Sequence, residues 1–189
     1  AALAWSIRHI SHYSGDKSSY HQASEVLGPL LPLSIIGTWD NDQGKGLDIP
    51  YPPEEKVDLK GRYRGKLMEI GWRNRYPLDQ RGKVNLDQLL YPTQWQVAYA
   101  ATAVQLEEAG SAELRLSSSD PLRVWVNGVE VLSISRLEGW MFDGLIVPVY
   151  LRRGVNQILI KSAQKTGSWI LSARLTKPGG EPISYTVKP

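Results

Sequence analysis

The 189-residue sequence contains no cysteine, which excludes disulfide bonds, thiolate nucleophiles and cysteine-ligated zinc or iron–sulfur centres. It also lacks any apolar run near the roughly 18 residues that a membrane-spanning helix needs. Its charge is almost balanced, with 22 basic and 19 acidic residues and a formal net charge of +3. So small an excess says little about binding partners, and the positions of the charges matter more.

Histidine is scarce as well, and the three residues His9, His12 and His21 all precede the part of the chain with strand patterns. The G-x-S-x-G motif of serine hydrolases is absent. A glycosidase needs two carboxyl groups across one cleft, whereas adjacent pairs such as Glu107-Glu108 point to opposite faces of a strand. We therefore predict a protein that is not an enzyme, and a hydrolase is the least favoured of three hypotheses.

Residues 1–31 predict two short helices joined by a turn at Ser14-Gly15-Asp16, where Asp16 is a suitable N-cap. Two such helices cannot bury their own apolar faces. We expect the hairpin to dock, on the rest of the chain or on a partner, through Leu3, Ile7, Val26 and Leu30. We place a domain boundary here, with residues 1–31 as a helical hairpin and residues 32–189 as a second domain.

From Leu33 onward the apolar residues alternate with a period of two, which predicts eight or nine short strands. The clearest signal is Asn127-Gly128 between two alternating segments, because a type I′ hairpin turn needs positive φ at both positions. Further strands are predicted at residues 66–72 and 183–187. Strand and helix patterns do not alternate, so we predict a mainly β protein with an antiparallel β-sandwich of the jelly-roll type.

Two runs of sequence then carry a family resemblance. SSSDPLRVWVNGVEV and, about twenty residues later, VPVYLRRGVNQILIKSAQKTGSWILSARLT resemble galactose-binding-domain-like jelly-roll modules. The upstream run IIGTWDNDQGKGLDIPYPPE resembles the opening strand and loop of these modules. They occur in large bacterial extracytoplasmic proteins, commonly after tetratricopeptide-like helices and sometimes beside a transglutaminase-like domain. The resemblance implies a periplasmic or secreted module, with residues 1–31 as the end of a helical repeat array.

The Gly-rich loop after the first strand contains three carboxylates, Asp40, Asp42 and Asp48. Oxygen ligands at alternate positions suit a hard cation, so calcium is a possible ligand and no other cofactor is expected. The full calcium-loop template fails, since Lys45 occupies the position of its turn glycine. A turn capped by Asx side chains explains the same residues equally well.

Residues 56–83 form a basic zone with nine lysine or arginine residues against three acidic ones. Basic side chains interleaved with Tyr63, Trp72 and Tyr76 could bind single-stranded nucleic acid. The zone carries no recognised nucleic-acid-binding motif, so we favour a solvated or inter-domain surface and predict no nucleic-acid partner.

Two connections between strands combine aromatic and charged side chains, as a sugar site requires. The sequence contains 7 tryptophans and a single phenylalanine, and the phenylalanine lies in the first of these connections. The candidate ligand-binding residues are Trp140, Trp169, Arg136, Glu138 and Asp143. The alternative is that Trp140 and Trp169 close the ends of the sandwich.

These observations leave three hypotheses for function. The first is a non-catalytic binding module of a larger bacterial envelope protein, contacting a glycan or neighbouring domains of the same polypeptide. The second is a structural spacer between a helical array and a downstream domain, and the third is a hydrolase. An open, aromatic-floored mouth at one end of the sandwich would separate the first from the second.

Overall fold

A computed structural model describes residues 2–28, 31–76, 83–137 and 139–188. The helices are α1 (Ala2–Ser14), α2 (Lys17–Leu27), α3 (Pro52–Glu55) and α4 (Leu86–Leu89), with a 3₁₀ turn at Asp42–Gly44. The strands are β1 (Leu33–Asp40), β2 (Arg62–Arg64), β3 (Glu69–Gly71), β4 (Arg73–Tyr76), β5 (Val84–Asn85), β6 (Gln96–Leu106), β7 (Gly110–Ser118), β8 (Leu122–Val126), β9 (Val129–Ile134), β10 (Leu145–Leu151), β11 (Gly154–Gln164), β12 (Ile170–Thr176) and β13 (Thr186–Lys188). Within these ranges, every helix is too short or too polar to cross a bilayer.

Two antiparallel sheets form the body of the protein, which confirms the predicted mainly β sandwich. The larger sheet has the strand order β4-β1-β6-β11-β8-β9, and β13 pairs with β6 beside this path. The smaller sheet has the order β10-β7-β12-β5. Alternate residues of both sheets meet in one apolar core that includes Ile35, Leu114, Val124 and Ile160. Burial of these side chains is the main source of stability for such a fold.

The β8–β9 hairpin has the predicted turn. Asn127 and Gly128 both have positive φ, at 52° and 80°, and the flanking strands pair antiparallel. The Asn127 carboxamide also ties the turn to β11, because its Oδ1 accepts from the Gln157 amide at 3.0 Å. A local sequence signal is sufficient here because the turn itself sets the register.

Two predicted strands differ from the observed ones. Residues 66–72 do not form one strand, since the chain turns at Gly65 and only Glu69–Gly71 of this range is extended, as β3. The Gly65 amide donates to the Met68 carbonyl at 2.9 Å and the Lys66 amide donates to the Thr38 carbonyl at 2.8 Å, which closes this turn. The last strand, β13, begins at Thr186 rather than at residue 183.

The outer face of the larger sheet carries a second apolar cluster, centred on Trp39, Val97 and Tyr99. The loop after β1 covers it, and this loop is anchored by a buried ion pair. The Nζ atom of Lys161 lies 2.7 Å from Glu54 Oε1 and donates to the Ile49 carbonyl at 2.6 Å. Burial lowers the pKa of Lys161. The buried Tyr99 hydroxyl also donates to Glu54, and desolvation together with Glu54 raises the pKa of Tyr99.

The helical hairpin does not dock on the sandwich through the predicted residues. Leu3, Ile7 and Val26 are exposed, Leu3 by 73%, and Leu30 lies outside the described residues. Contact with the sandwich comes instead from Trp5, whose ring centroid lies 5.3 Å from that of Trp140, and from the end of α2, where the Leu27 carbonyl accepts from Arg174. Periodicity alone does not distinguish the face of a helix that meets a neighbour from the face that meets solvent. Docking of the exposed residues on a partner stays a prediction.

Candidate functional site

Trp169 does not offer its ring to a ligand, and its predicted role is wrong. It is fully buried, with 0% of its surface exposed, and its indole Nε1 donates to Ser162 Oγ at 2.9 Å. The residue immediately precedes β12, so alternation along that strand directs the side chain into the core. For Trp169 the alternative interpretation is correct, because its side chain packs inside the sandwich and offers no surface to a ligand.

Asp143 is also not free to bind a sugar hydroxyl. Its Oδ1 accepts from Arg174 Nε at 2.9 Å, and its Oδ2 accepts from Arg115 Nη1 at 3.3 Å. The Arg174 side chain is almost fully buried and also donates to the Leu27 carbonyl at 2.6 Å. Asp143 therefore neutralises a buried guanidinium that fixes the C-terminal end of α2.

Trp140 lies at the seam between the helical hairpin and the sandwich. Its half-buried ring contacts Trp5 and Phe142, and Lys83 Nζ lies 3.8 Å from the ring centroid. The residue also lines a pocket of about 300 Å³. Trp140 and the exposed Arg136 stay predicted ligand contacts, whereas Glu138 lies outside the described residues.

The three carboxylates proposed for calcium do not converge, so this prediction is wrong. Asp40 pairs with Lys66 at 2.8 Å and Asp48 pairs with Arg123 at 2.6 Å, while Asp42 is exposed. Within the described ranges, no three acidic or histidine side chains are grouped as metal ligands. Ion pairing with two different basic residues separates these side chains.

The buried Asn41 organises the loop instead, as the alternative interpretation held. Its Nδ2 donates to the Gln164 carbonyl at 2.9 Å and its Oδ1 accepts from the Gly46 amide at 2.8 Å. A Cβ atom at Gly46 would lie only 2.9 Å from Asn41 Cα. The glycine is thus required by close packing within the loop and not by an ion.

A larger cleft, of about 720 Å³, opens on the outer face of the larger sheet. We call it the outer cleft. Its floor and far edge are formed by side chains of four strands, and residues 56–60 form its wall. The floor and edge residues are Ser34, Ala101, Ala103, Gln157 and Lys188.

Strand pairing explains why these residues share one face. Ser34 pairs with Ala101 across β1 and β6, whereas Gln157 and Lys188 both pair with Ala103. Directly opposed residues of neighbouring strands point to the same side of a sheet, and Ala101 belongs to the outer cluster of Tyr99. The loop that covers Tyr99 and Ala101 leaves Ala103 partly exposed, and the cleft opens over this part of the face.

The polar groups of the outer cleft have few partners. Ser34 is only 6% exposed, and its hydroxyl forms no hydrogen bond within the described chain. Lys56, Lys60 and Lys188 are exposed, and no carboxylate of the described residues lies within 4.0 Å of their ammonium groups. Asp58 is the one acidic residue that the described chain contributes to the lining, and it accepts a hydrogen bond from the Lys60 amide at 3.0 Å.

Sequence reasoning missed the outer cleft. The only sequence signal is that alternate positions of β6 change from Val97 and Tyr99 to Ala101 and Ala103. This change indicates that the second half of the strand has less bulk on one face. It does not indicate which loop ends nearby or which lysines that loop brings.

No protein-family model matches this chain, and no curated protein matches it. Solved structures with a similar arrangement of strands include the PA14 sugar-binding domain from an RTX adhesin, at 21% identity and a TM-score of 0.38 over 49% of this chain and 50% of that one. A PA14 domain of the MpAFP antifreeze protein has 15% identity and a TM-score of 0.40, over 83% of this chain and 68% of that domain.

A β-glucosidase from Kluyveromyces marxianus has 13% identity and a TM-score of 0.48. That match covers 76% of this chain and 16% of the glucosidase, so this chain spans a small part of that enzyme and half of the adhesin domain. The assignment of a mainly antiparallel β-sandwich rests on this chain's own two sheets.

Proposed function

We propose that this protein is a non-catalytic carbohydrate-binding module whose ligand occupies the outer cleft. The observation that carries the proposal is Ser34, a residue of the cleft floor that is only 6% exposed and whose hydroxyl makes no hydrogen bond to the described residues. The Ser34 hydroxyl is therefore available to a ligand hydroxyl, and one such hydrogen bond contributes about 0.5–1.5 kcal/mol. The volume is also in the range of small-molecule sites, about 300–1,000 Å³.

The chemistry of the floor suits a sugar ring. Ala103 is small and partly exposed, so a ring can approach the sheet closely and lay its C–H face on the methyl group. Ser34 and Gln157 lie on the same face and supply a hydroxyl and a carboxamide, each able to donate and accept. Paired donors and acceptors beside a flat apolar floor are what adjacent ring hydroxyls require.

The absence of catalysis is part of the proposal. Hydrolysis of a glycosidic bond requires two carboxyl groups that flank the bond. Asp58 is the one carboxyl group among the described residues that line the outer cleft. We place this module in a larger bacterial extracytoplasmic protein, beside neighbouring domains of the same polypeptide, as the family resemblance implies.

A glycan array followed by calorimetry tests the proposal. We expect Ser34→Ala to weaken glycan binding by about five- to tenfold, the equivalent of one hydrogen bond of about 1 kcal/mol. The thermal midpoint should change little, because the Ser34 hydroxyl makes no hydrogen bond to the described residues that the substitution could break. The matched control is Ser111→Ala, an exposed serine of the smaller sheet, and it should change neither quantity. A chain that binds no glycan, or a Ser34→Ala variant with full affinity, would contradict the proposal.

A structural spacer is the second candidate, and one observation favours it. Arg174 binds the end of α2, and Trp5 packs on Trp140 and Phe142, so the hairpin is held against the sandwich at two points. A spacer domain requires such contacts to hold its neighbours in place, and it requires no ligand. A glycan array without binding, together with an intact seam, would therefore favour the spacer.

A further inference from the structure

Three lysines surround the outer cleft with little negative charge to balance them. Lys56 and Lys60 belong to the wall, and Lys188 comes from β13 on the opposite edge. The described residues place no carboxylate within ion-pair distance of any of the three. Asp58 is the one acidic residue among the described residues of the lining. The cleft therefore has a local excess of positive charge that the net charge of +3 for the whole chain does not reveal.

We propose that the carbohydrate bound in the outer cleft is anionic and carries carboxylate or sulfate groups. This inference rests on the proposed function, since it names the class of glycan that the same site binds. An ammonium group donates up to three hydrogen bonds and binds anionic oxygens as a point charge. Such charge-assisted bonds are roughly twice as strong as neutral ones.

The three lysine charges also favour an anionic ligand over a neutral one. Like charges around one concave site repel each other, and the low dielectric of the protein wall focuses their field into the cleft. An anionic ligand relieves this repulsion and a neutral ligand does not. The lysines are exposed, so the interaction should weaken as salt screens it over about 10 Å at 0.1 M ionic strength.

The lining favours a glycan over a nucleic acid. Single-stranded nucleic acids are held by bases stacked on aromatic side chains and by backbone contacts to basic residues. None of the described residues that line the outer cleft is aromatic, and none is arginine. Ala103 and the Ser34 hydroxyl provide contacts for a ring with hydroxyl groups, while the lysines provide contacts for its acid groups.

Calorimetry on the full chain with two matched pairs of probes tests the inference. The first pair is an oligogalacturonate and the same oligosaccharide after reduction of its carboxyl groups, and the second is dextran sulfate and dextran. We expect at least one anionic probe to bind tenfold or more tightly than its neutral partner. Its affinity should also fall between 50 and 200 mM salt, on the order of tenfold for each tenfold rise in salt concentration and for each ionic contact. The two pairs distinguish carboxylate from sulfate.

Substitution of the lysines identifies the site. Lys56→Gln, Lys60→Gln and Lys188→Gln should each weaken binding of the anionic probe about three- to tenfold and reduce the salt dependence. They should leave the affinity for the neutral probe unchanged. If the lysines only stabilised the fold, their substitution would weaken binding of both probes. Lys17→Gln, on α2 and outside the cleft, is the matched control for loss of one positive charge and should have no effect.

The possible failures are distinguishable. Equal binding of the acidic and neutral members, insensitive to salt, would overturn the anionic ligand and leave the proposed function standing. Absence of binding to every glycan would overturn the proposed function and the inference together. Tighter binding of a single-stranded oligonucleotide through the same lysines would overturn the inference in favour of a nucleic-acid site.

Discussion

At the scale of single residues, Asp143 shows how a side chain chosen as a ligand contact can be structural. Its carboxylate neutralises Arg174, which is almost completely buried. We expect Asp143→Ala to lower the free energy of unfolding by about 3–5 kcal/mol, because it leaves a buried guanidinium unpaired. Asp48→Ala is the control, since Asp48 is 78% exposed in its pair with Arg123 and should cost 0–1 kcal/mol at most. Urea denaturation measures both, and equal losses would contradict the buried-pair explanation.

Asp120 predicts a pH dependence of stability. Burial raises its pKa from an ordinary value near 3.8 to about 6, against the lowering effect of Ser119. The folded chain therefore holds this proton more tightly than the unfolded chain does. The resulting contribution is complete below pH 4 and is lost as the pH rises through about 6.

Substitution isolates this contribution. Asp120→Asn cannot titrate, so the difference in unfolding free energy between variant and natural chain should grow between pH 4 and pH 6 in favour of the variant. Glu107→Gln, at an exposed position, should produce no such change over the same interval. A constant difference between the Asp120→Asn and natural chains across this range would show that Asp120 titrates normally.

At the scale of elements, the β8–β9 turn gives a sharp test of backbone conformation. Gly128 has a φ of 80°, and a Cβ atom there would meet nothing within 4 Å. Gly128→Val should therefore destabilise the fold by about 1 kcal/mol or more through its backbone preference and not through a clash. Gly110→Val offers the matched control, because a Cβ there also meets nothing and its φ is not positive. If the two variants had the same thermal midpoint, the turn would not require positive φ.

Elements defined by local signals could be predicted from the sequence, and those defined by distant partners could not. Asp16 caps α2, with its Oδ1 accepting from the Ser19 amide at 3.1 Å, because a cap needs only residues three positions apart. The Asn127-Gly128 hairpin is equally local. The separate strands β2 and β3 depend on a turn held by Thr38, which lies almost thirty residues before it, and no short window contains that contact.

At the scale of the whole molecule, the site was harder to predict than the fold. Alternation assigns residues to the two faces of a sheet, but it does not show which half of a face a loop will cover. The outer cleft combines residues from five distant segments of the chain. The prediction for Trp169 was wrong for a different reason: the residue type suggested a binding surface, but its position just before β12 directs the side chain into the core.

The proposed boundary near residue 31 also belongs to this scale. Leu31 is fully buried in the sandwich core, and its amide donates to the Ala173 carbonyl at 2.8 Å. We expect a chain that begins at Leu31 to fold, with an unfolding free energy lower by about 1–3 kcal/mol because Arg174 loses the Leu27 carbonyl. Circular dichroism with urea denaturation measures this, and Leu3→Ala in the full chain is the control. An unfolded product would show that the helices and strands form one domain.

The arrangement of β1 and β13 along one edge of β6 has a mechanical consequence. Ser34 pairs with Ala101 and Lys188 pairs with Ala103, so the start of β1 and the end of β13 flank Thr102. Tension between Leu33 and Lys188 would pull each strand from its end, and its hydrogen bonds would break one after another instead of together. With only three paired residues, β13 would peel away first. Lys188 would leave the outer cleft with it, while the rest of the sandwich stayed folded.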